Sequence, residues 1–423
     1  MCAAASQPSS VSGHAVAGHV QADKASPSVI PYSCQTIDDS DIEAVLAVLK
    51  GDRLTQGPAV SQFESAVANY CGVDYAVAFA NGTAALHGAY AAAGLGPSDS
   101  FITSTLSFVA SANAGVYEGG QPLLADIDAA TLNMDLASAQ RLLEPNTKVI
   151  TPVHFAGNPV DLDALYAFAD AHNLTVIEDA AHALGARYKG RPIGQCRDMA
   201  VFSFHPVKSL TTGEGGMVVT PHRHLYEKLL AFRSHGMVRD PQLFVDKVAQ
   251  DELPQNETAL HGPWHYEVQS LGYNYRITDM QCALGISQMK RLDAFIEARH
   301  DIVERYRTAF QGEARLQFQH VRSDDQSAHH LCTIVLKTDN PGRDRLCLYN
   351  WLKDHRVLTQ VHYRPIHNQP YYRNRFGTTA GQCPVSEAYY EGCLSIPVYP
   401  TLSEADQATV IALINTFLTT LEV

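Results

Sequence analysis

Several things are missing from this 423-residue sequence, and each absence narrows what it can be. No run of about 18 apolar residues occurs, so no segment reads as a spanning helix. The opening stretch, MCAAASQPSSVSGHAVAGHVQADKASPS, has neither a basic n-region nor a continuous apolar h-region. Residues 1–29 therefore read as a disordered leader and not as a secretory signal. Positive charge is scarce: 31 Lys plus Arg stand against 44 Asp plus Glu, a net charge of −13. That argues against nucleic acid or an anionic membrane as partner, because both are polyanions. The nine cysteines are odd in number, irregularly spaced and without a C-x-x-C pair. They read as free thiols in a reducing compartment, for which the cytoplasm is the simplest choice.

Some motifs are missing too. No G-x-G-x-x-G follows the first expected strand, and the stretch from Gly185 to Gly190 has P-loop glycine spacing without the Lys-Ser/Thr that must follow. A nucleotide-dependent dehydrogenase or NTPase is disfavoured on both counts. The 19 histidines include the pairs His222/His224, His329/His330 and His362/His367. None forms a recognised ligand set with cysteines or acids, so no metal is expected.

What is present is a globular texture from Ile30 onward, with 46% hydrophobic and 18% charged residues. Helical spacing is expected over 41–49, and a short apolar run over 75–80 reads as a buried strand. Asn81-Gly82-Thr83 then opens a helical segment, 84–93. Strands at 101–103, 122–125, 148–153 and 175–177 alternate with helices at 107–117, 136–143 and 162–172. Such alternation predicts an α/β fold, a mostly parallel sheet with helices on both faces. Two further strands, 199–204 and 216–220, precede a helix over 225–232. The polar segment 240–265 reads as an excursion. Residues 278–310 read as long helical material broken once. A strand at 331–336, a helix over 345–354, a Pro-rich stretch and a closing helix over 403–421 suggest a smaller α+β domain. The expected division is a large domain over 30–280 and a small one over 281–423.

Three local patterns carry chemistry. In Phe202-Ser203-Phe204-His205-Pro206-Val207-Lys208, followed by TTGEGG, a strand delivers a lysine into a Gly-rich turn. Lysine forms reversible imines with aldehydes, and partial burial makes its neutral, nucleophilic form accessible. An exposed loop lysine is the bland alternative, and for a lone lysine it is far commoner. In Val176-Ile177-Glu178-Asp179-Ala180-Ala181-His182 a carboxylate stands where a buried strand ends, the edge at which open α/β sheets hold ligands. It can pair with a protonated pyridine nitrogen, although Asp after a strand is commonly just a helix N-cap. Gly82 and Thr83 stand at a helix start, where backbone N–H groups suit a phosphate; an ordinary βα turn is the alternative. Ser203 can add a phosphate donor, and Phe108, opening its helix, can stack on a flat ring, though taken alone it reads as core. In chain order these supply phosphate donors, a stacking ring, a carboxylate and an imine lysine.

The segments NGTAAL, LSFVASANA, VHFAGNPVD, IEDAAHALGA, FSFHPVKSLTTGEGG, FRSHGM and GYNYRITDMQCALG resemble the sugar aminotransferases of the DegT/DnrJ/EryC1/StrS family, over nearly everything from Ile30 onward. FSFHPVK and VLTQVHYRPIHNQPYY most resemble the branch of the family that acts in pseudaminic-acid synthesis. The resemblance implies a fold-type-I pyridoxal-phosphate (PLP) transferase with a mostly parallel seven-stranded sheet, working as a homodimer with active sites at the subunit interface. It implies Lys208 as the Schiff-base lysine and proton shuttle, Asp179 as partner of the pyridine nitrogen, and His182 near the phenolic oxygen. By the same resemblance Phe108 stacks on the ring, and Gly82, Thr83 and Ser203 hold the phosphate, joined by Asn274 from the partner subunit. Tyr32, Asp52-Arg53-Leu54-Thr55 and His362-Tyr363-Arg364-Pro365 match positions lining a nucleotide-sugar pocket, with Gly82, Ser203 and Asn274 beside them. Arg233 and His235 stand in a conspicuous motif with at most a substrate role.

The implied reaction moves an amino group from L-glutamate to a nucleotide-linked 4-keto-6-deoxy sugar, the nucleotide being UDP, in a ping-pong cycle. Relatives with His in place of the lysine are dehydratases or isomerases; Lys208 keeps this chain on the transaminase side. A dTDP- or GDP-linked sugar, and a PLP-binding regulator without turnover, stand as alternatives.

Overall fold

The computed structural model describes residues 29–245 and 264–421. The expected leader, up to residue 28, and most of the 240–265 excursion lie outside the described residues. The central sheet contains β1 (Tyr75–Phe79), β2 (Ser100–Ser104), β3 (Gln121–Ala125), β4 (Thr147–Thr151) and β5 (Thr175–Asp179). After a short hairpin, β6 (Arg187–Tyr188) and β7 (Arg191–Pro192), it is completed by β8 (Met199–Ser203) and β9 (Gly216–Thr220). The strand order is β1-β9-β8-β5-β4-β2-β3. Pairing is parallel from β3 through β8, while β9 runs antiparallel to both its neighbours. The mostly parallel seven-stranded sheet is the one expected.

Successive residues of a strand face opposite sides, and this places one core on each face of the sheet. Ile102, Ile150, Val176 and Phe202 pack with Phe63 and Val67 on one side. Phe101, Val149, Ile177 and Val201 pack with Leu86 and Leu229 on the other. The helices are α1 (Asp39–Leu49), α2 (Pro58–Cys71), α3 (Gly82–Ala92), α4 (Ala110–Tyr117), α5 (Leu136–Leu142), α6 (Leu162–His172) and α7 (Arg223–Arg233). The expected long helix is two, α8 (Asp279–Met289) and α9 (Leu292–Ala309), broken at Lys290-Arg291. Helix α8 packs on α1 and α2, and its Asp279 accepts the backbone N–H groups of Gly57 and Ala59 at the start of α2.

Helix α2 was absent from the sequence reading. Its buried residues Ala59, Phe63, Val67 and Cys71 recur every four positions, the spacing of one helix face. Pro58 occupies the first turn and Gly72, at φ 71°, closes the helix, so both punctuating residues are compatible with it.

Beyond the small pair β10 (Met237–Val238) and β11 (Glu267–Val268), a second sheet joins β12 (Leu316–Phe318), β13 (Cys332–Leu336) and β14 (Cys393–Ile396), all antiparallel. Helices α10 (Pro341–Asp354) and α13 (Glu404–Thr420) cover it. Tyr306, Ile334, Leu348, Leu352, Leu394 and Ile414 form its core. The Pro-rich stretch holds two unexpected short helices, α11 (Pro370–Phe376) and α12 (Pro384–Gly392).

Candidate active site

Lys208 lies on the connection 204–215 between β8 and β9. Both ends of that connection are fixed: Ser203 pairs with Gly216, Phe204 N–H donates to Gly215 O at 2.9 Å, and Thr212 N–H donates to Phe204 O at 3.0 Å. Removal from water pushes the Lys208 amine from the usual 10.5 down to about 8, against the opposing pull of the Asp179 carboxylate. The residue retains some exposure, yet its amine is deep enough for desolvation to dominate. Its Nζ lies 3.5 Å from His330 Nε2.

Asp179 closes β5 and is buried. Its carboxylate accepts the Ser111 hydroxyl at 2.5 Å and Ala181 N–H at 3.1 Å. Burial nonetheless pushes its carboxyl upward, with Ser111, Ala181 and the Lys208 charge working the other way. Strands β5 and β8 are paired neighbours with Asp179 opposite Val201, so Asp179 and the connection bearing Lys208 leave the sheet at the same edge, where each charge acts on the other. A buried anion that is incompletely compensated gains from a cation placed against it.

His182 is buried next to this pair. Ala156 N–H donates to its Nδ1 at 3.3 Å, which leaves the ring proton on Nε2. That N–H faces the Tyr363 hydroxyl at 3.4 Å. Desolvation first, then the Lys208 and His362 charges, hold His182 well below the usual imidazole range, so it is neutral. Its ring lies 4.4 Å from that of His330 and 6.3 Å from that of Tyr363. His362 donates to or accepts from Ser395 Oγ at 2.8 Å and is pushed down to about 3 by burial and then by Lys208. Tyr32 packs against His362, ring centres 5.7 Å apart. Phe108 is 56% exposed and 6.1 Å from the Tyr363 ring. Helix α4 begins at Ala110, so Phe108 precedes the helix and does not open it. The exposed ring beside a buried lysine–carboxylate pair offers a flat apolar face.

Gly82 and Thr83 open α3, whose N-cap Asn81 accepts Ala84 N–H through its side chain at 2.8 Å. Added at Gly82, a Cβ would stand 3.1 Å from Ser203 Oγ, so the β1–α3 turn and the end of β8 meet directly. At Gly216 it would stand 2.4 Å from Asn81 O. The two glycines thus allow three backbone segments, the β1–α3 turn, the end of β8 and the start of β9, to converge at the two ends of the connection that bears Lys208.

Other expected residues lie apart within the single chain. Asp52, Arg53, Leu54 and Thr55 are exposed. Asp52 and Arg53 line a groove of about 530 Å³ between α1, α2 and α8, together with Val48, Ala59 and Ile286. No described hydrogen bond or ring contact ties them to Lys208. Asn274 is exposed on a segment bridged to Ser234. Arg364 is exposed and donates to Asn368 O at 2.9 Å, while Pro365 is buried. Arg233 is committed elsewhere: its Nη1 meets Glu64 Oε1 at 2.6 Å and Ala78 O at 2.8 Å, which makes it a structural cation under β1. His235, at φ 62°, turns the chain after α7.

Two residues at the site escaped the sequence reading. His330 was weighed only as half of a histidine pair, and Arg299 not at all. Arg299 is fully buried on α9, its Nη1 donating to Val398 O at 3.0 Å and its Nη2 to Lys208 O at 3.5 Å. A lone arginine on the apolar face of an amphipathic helix is the only signal that could have marked it.

A half-buried lysine whose amine is pushed down to about 8, beside a buried acid at the carboxyl ends of a mostly parallel sheet, is chemically able to form an imine with a carbonyl compound. The chain belongs to the DegT/DnrJ/EryC1/StrS aminotransferase family, whose pattern matches residues 35–415. The spore coat polysaccharide biosynthesis protein SpsC of Bacillus subtilis is 40% identical over 383 residues, 90% of this chain and 95% of SpsC. PseC of Helicobacter pylori, an aminotransferase involved in the biosynthesis of pseudoaminic acid, superposes with a TM-score of 0.83 at 29% identity, covering 93% of this chain and all of that one. The Streptococcus pneumoniae protein Spr1654, solved in a PLP-form, matches with a TM-score of 0.82 at 26% identity over 92% of this chain and 98% of its own.

Proposed function

We propose that this protein is a PLP-dependent aminotransferase that moves the amino group of L-glutamate onto C4 of a UDP-linked 4-keto-6-deoxy sugar, for a surface glycan of the pseudaminic-acid type. The observation that carries the reading is geometric: the buried Asp179 closes β5 opposite Val201 of the adjacent β8, and the connection that follows β8 bears Lys208. The kinship with PseC and SpsC supports the sugar class.

The residues fit the cofactor. Asp179 is a carboxyl pushed upward by burial, only partly offset by Ser111, Ala181 and the Lys208 and His154 charges, and the one hydrogen-bond partner described for Lys208 Nζ is His330 Nε2. When bound, pyridoxal phosphate supplies an aldehyde carbon that bonds to amines and a cationic ring that takes up carbanion charge. Asp179 would hold the ring nitrogen and favour its protonated form. His182, neutral with its proton on Nε2, donates a hydrogen bond toward the phenolic oxygen. Phe108 covers one face, while Gly82, Thr83 and Ser203 receive the phosphate. Lys208 would serve twice: its neutral Nζ would be the amine that holds the cofactor, and when free the same nitrogen would be the base that accepts a proton from the α-carbon of glutamate and, once protonated, the acid that returns it. An amine poised near pH 8 does both at neutral pH, where a lysine at 10.5 would be almost wholly protonated.

Tyr32, Tyr363 and His362 line the approach to Lys208, and Arg364 and Arg53 are the cations available for a diphosphate. Asp52–Thr55, exposed here, are read as lining the nucleotide-sugar pocket, and exposed Asn274 as joining the phosphate site of a second subunit in a cytoplasmic homodimer. In Lys208→Ala the visible imine band and turnover disappear together, while wild-type protein bleaches with glutamate and regains colour with UDP-4-keto sugar. Retained turnover in that variant refutes the assignment. Amination of only dTDP- or GDP-linked sugars refutes the UDP assignment.

A further inference from the structure

The Lys208 side chain has one described polar neighbour, His330 Nε2 at 3.5 Å, at the long end of a hydrogen bond. His330 is 2% exposed, and its other ring nitrogen, Nδ1, is buried with no partner. An orphaned buried nitrogen is costly, and a Phe or Leu of similar volume would fill the space without that cost. Something other than packing accounts for an imidazole there. An ammonium offers only donors, so Nε2 must present its lone pair to Lys208 and the ring proton must sit on Nδ1. The orphan is thus an N–H, left unpaired so that the opposite nitrogen can accept.

The backbone that carries the ring is fixed on both sides. Ala328 N–H donates to Gly157 O at 3.0 Å, Leu331 N–H to Ala156 O at 3.4 Å, and His329 N–H to Ser327 Oγ at 3.1 Å. The same 156–157 turn gives Ala156 N–H to His182, so both imidazoles are registered on one piece of backbone. Arg299 holds the Lys208 carbonyl from below. With the lysine backbone fixed by Arg299, a fixed acceptor at the far end of a four-carbon side chain determines where its nitrogen rests.

We propose that His330 is a positioning residue for Lys208, its neutral imidazole accepting a hydrogen bond from Nζ through Nε2 and fixing that nitrogen whenever the lysine carries no covalent partner. The inference rests on the reading of Lys208 as the cofactor lysine. Besides His330, the titratable groups coupled to the amine are Asp179, His182 and His362, with Arg299 facing His330 itself, and none of these changes in the variants below.

The test measures imine formation, not turnover, by adding pyridoxal phosphate to cofactor-free protein and following the absorbance rate against pH. In His330→Phe an acceptor favouring the charged amine is lost, so the midpoint of the rate–pH profile moves down by about one pH unit. The kcat falls on the order of tenfold as the freed amine loses its fixed position, with KM for glutamate unchanged. In His330→Gln the amide oxygen accepts in place of Nε2 and the midpoint returns toward wild type. If the three midpoints coincide, or Gln is displaced as far as Phe, His330 is packing alone and the proposal falls. Should His330→Phe fail to fold by circular dichroism, His330→Met serves as the apolar variant. A wild-type protein that forms no imine overturns the function itself, a distinct outcome from wild-type capture with unaltered variants.

Discussion

Replacing Lys208 by Met keeps most of the side chain and removes its charge. In the cofactor-free protein, burial pushes the amine from 10.5 down to about 8, a difference equivalent to about 3 kcal/mol for a group wholly out of water. The residue keeps some exposure, so solvent screening brings the figure to about 2 kcal/mol. The sign follows from proton counting. Between pH 8 and 10.5 the folded chain binds fewer protons than the unfolded chain, so stability rises with pH across that window. Below pH 8 the full penalty is present, and above 10.5 it is gone. Lys208→Met escapes it and is more stable than wild type at pH 7 by about 2 kcal/mol, the two converging above pH 10.5. Urea unfolding of cofactor-free protein at pH 7, 8.5 and 10, followed by the fluorescence of its two tryptophans, measures this. A variant no more stable at pH 7, or an advantage that does not shrink with pH, refutes the reasoning. Removal of a catalytic residue that stabilises the fold is the expected mark of a site carrying strain.

Two further substitutions separate structure from chemistry. Arg233→Met strands Glu64, whose side chain is 13% exposed, and costs about 3 kcal/mol; unfolding midpoints fall while KM for both substrates holds. A raised KM at unchanged stability would return Arg233 to the substrate pocket. Gly216→Ala drives a Cβ to within 2.4 Å of Asn81 O, backbone against side chain with no flexible group to yield. It costs about 3 kcal/mol and weakens cofactor affinity, measured by absorbance titration; unaltered affinity would remove the β1–α3 turn from the phosphate site.

The sheet was legible because its strands are apolar runs at regular spacing, and β2 and β9 are buried at every position. Helix starts were less so. Helices α2, α10, α11 and α12 all carry Pro in the first turn; three of them were not expected, and the fourth was expected only over 345–354. The missing N–H of proline costs nothing in the first turn. Helix α1 begins two residues before the expected 41 because Asp38 and Asp41 cap it reciprocally. At the site, Lys208, Asp179 and His182 sit in contiguous motifs and could be found from spacing. His330 and Arg299 lie 122 and 91 positions from Lys208, and only folding brings them there. Arg233 shows the converse: a conspicuous motif whose cation is spent on Glu64.

The loop bearing Lys208 is stitched shut at its base, Ser203 opposite Gly216 and Phe204 opposite Gly215. Leu210 and Thr211 anchor it further, packing in the core and bonding Phe204 O, which leaves the Lys208 side chain itself free of the duty of holding the sheet. Evolution can exchange the residue at 208 without renegotiating the architecture, changing the reaction while leaving the scaffold intact. A frame with such a replaceable tip is suited to giving rise to transferases, dehydratases and isomerases alike.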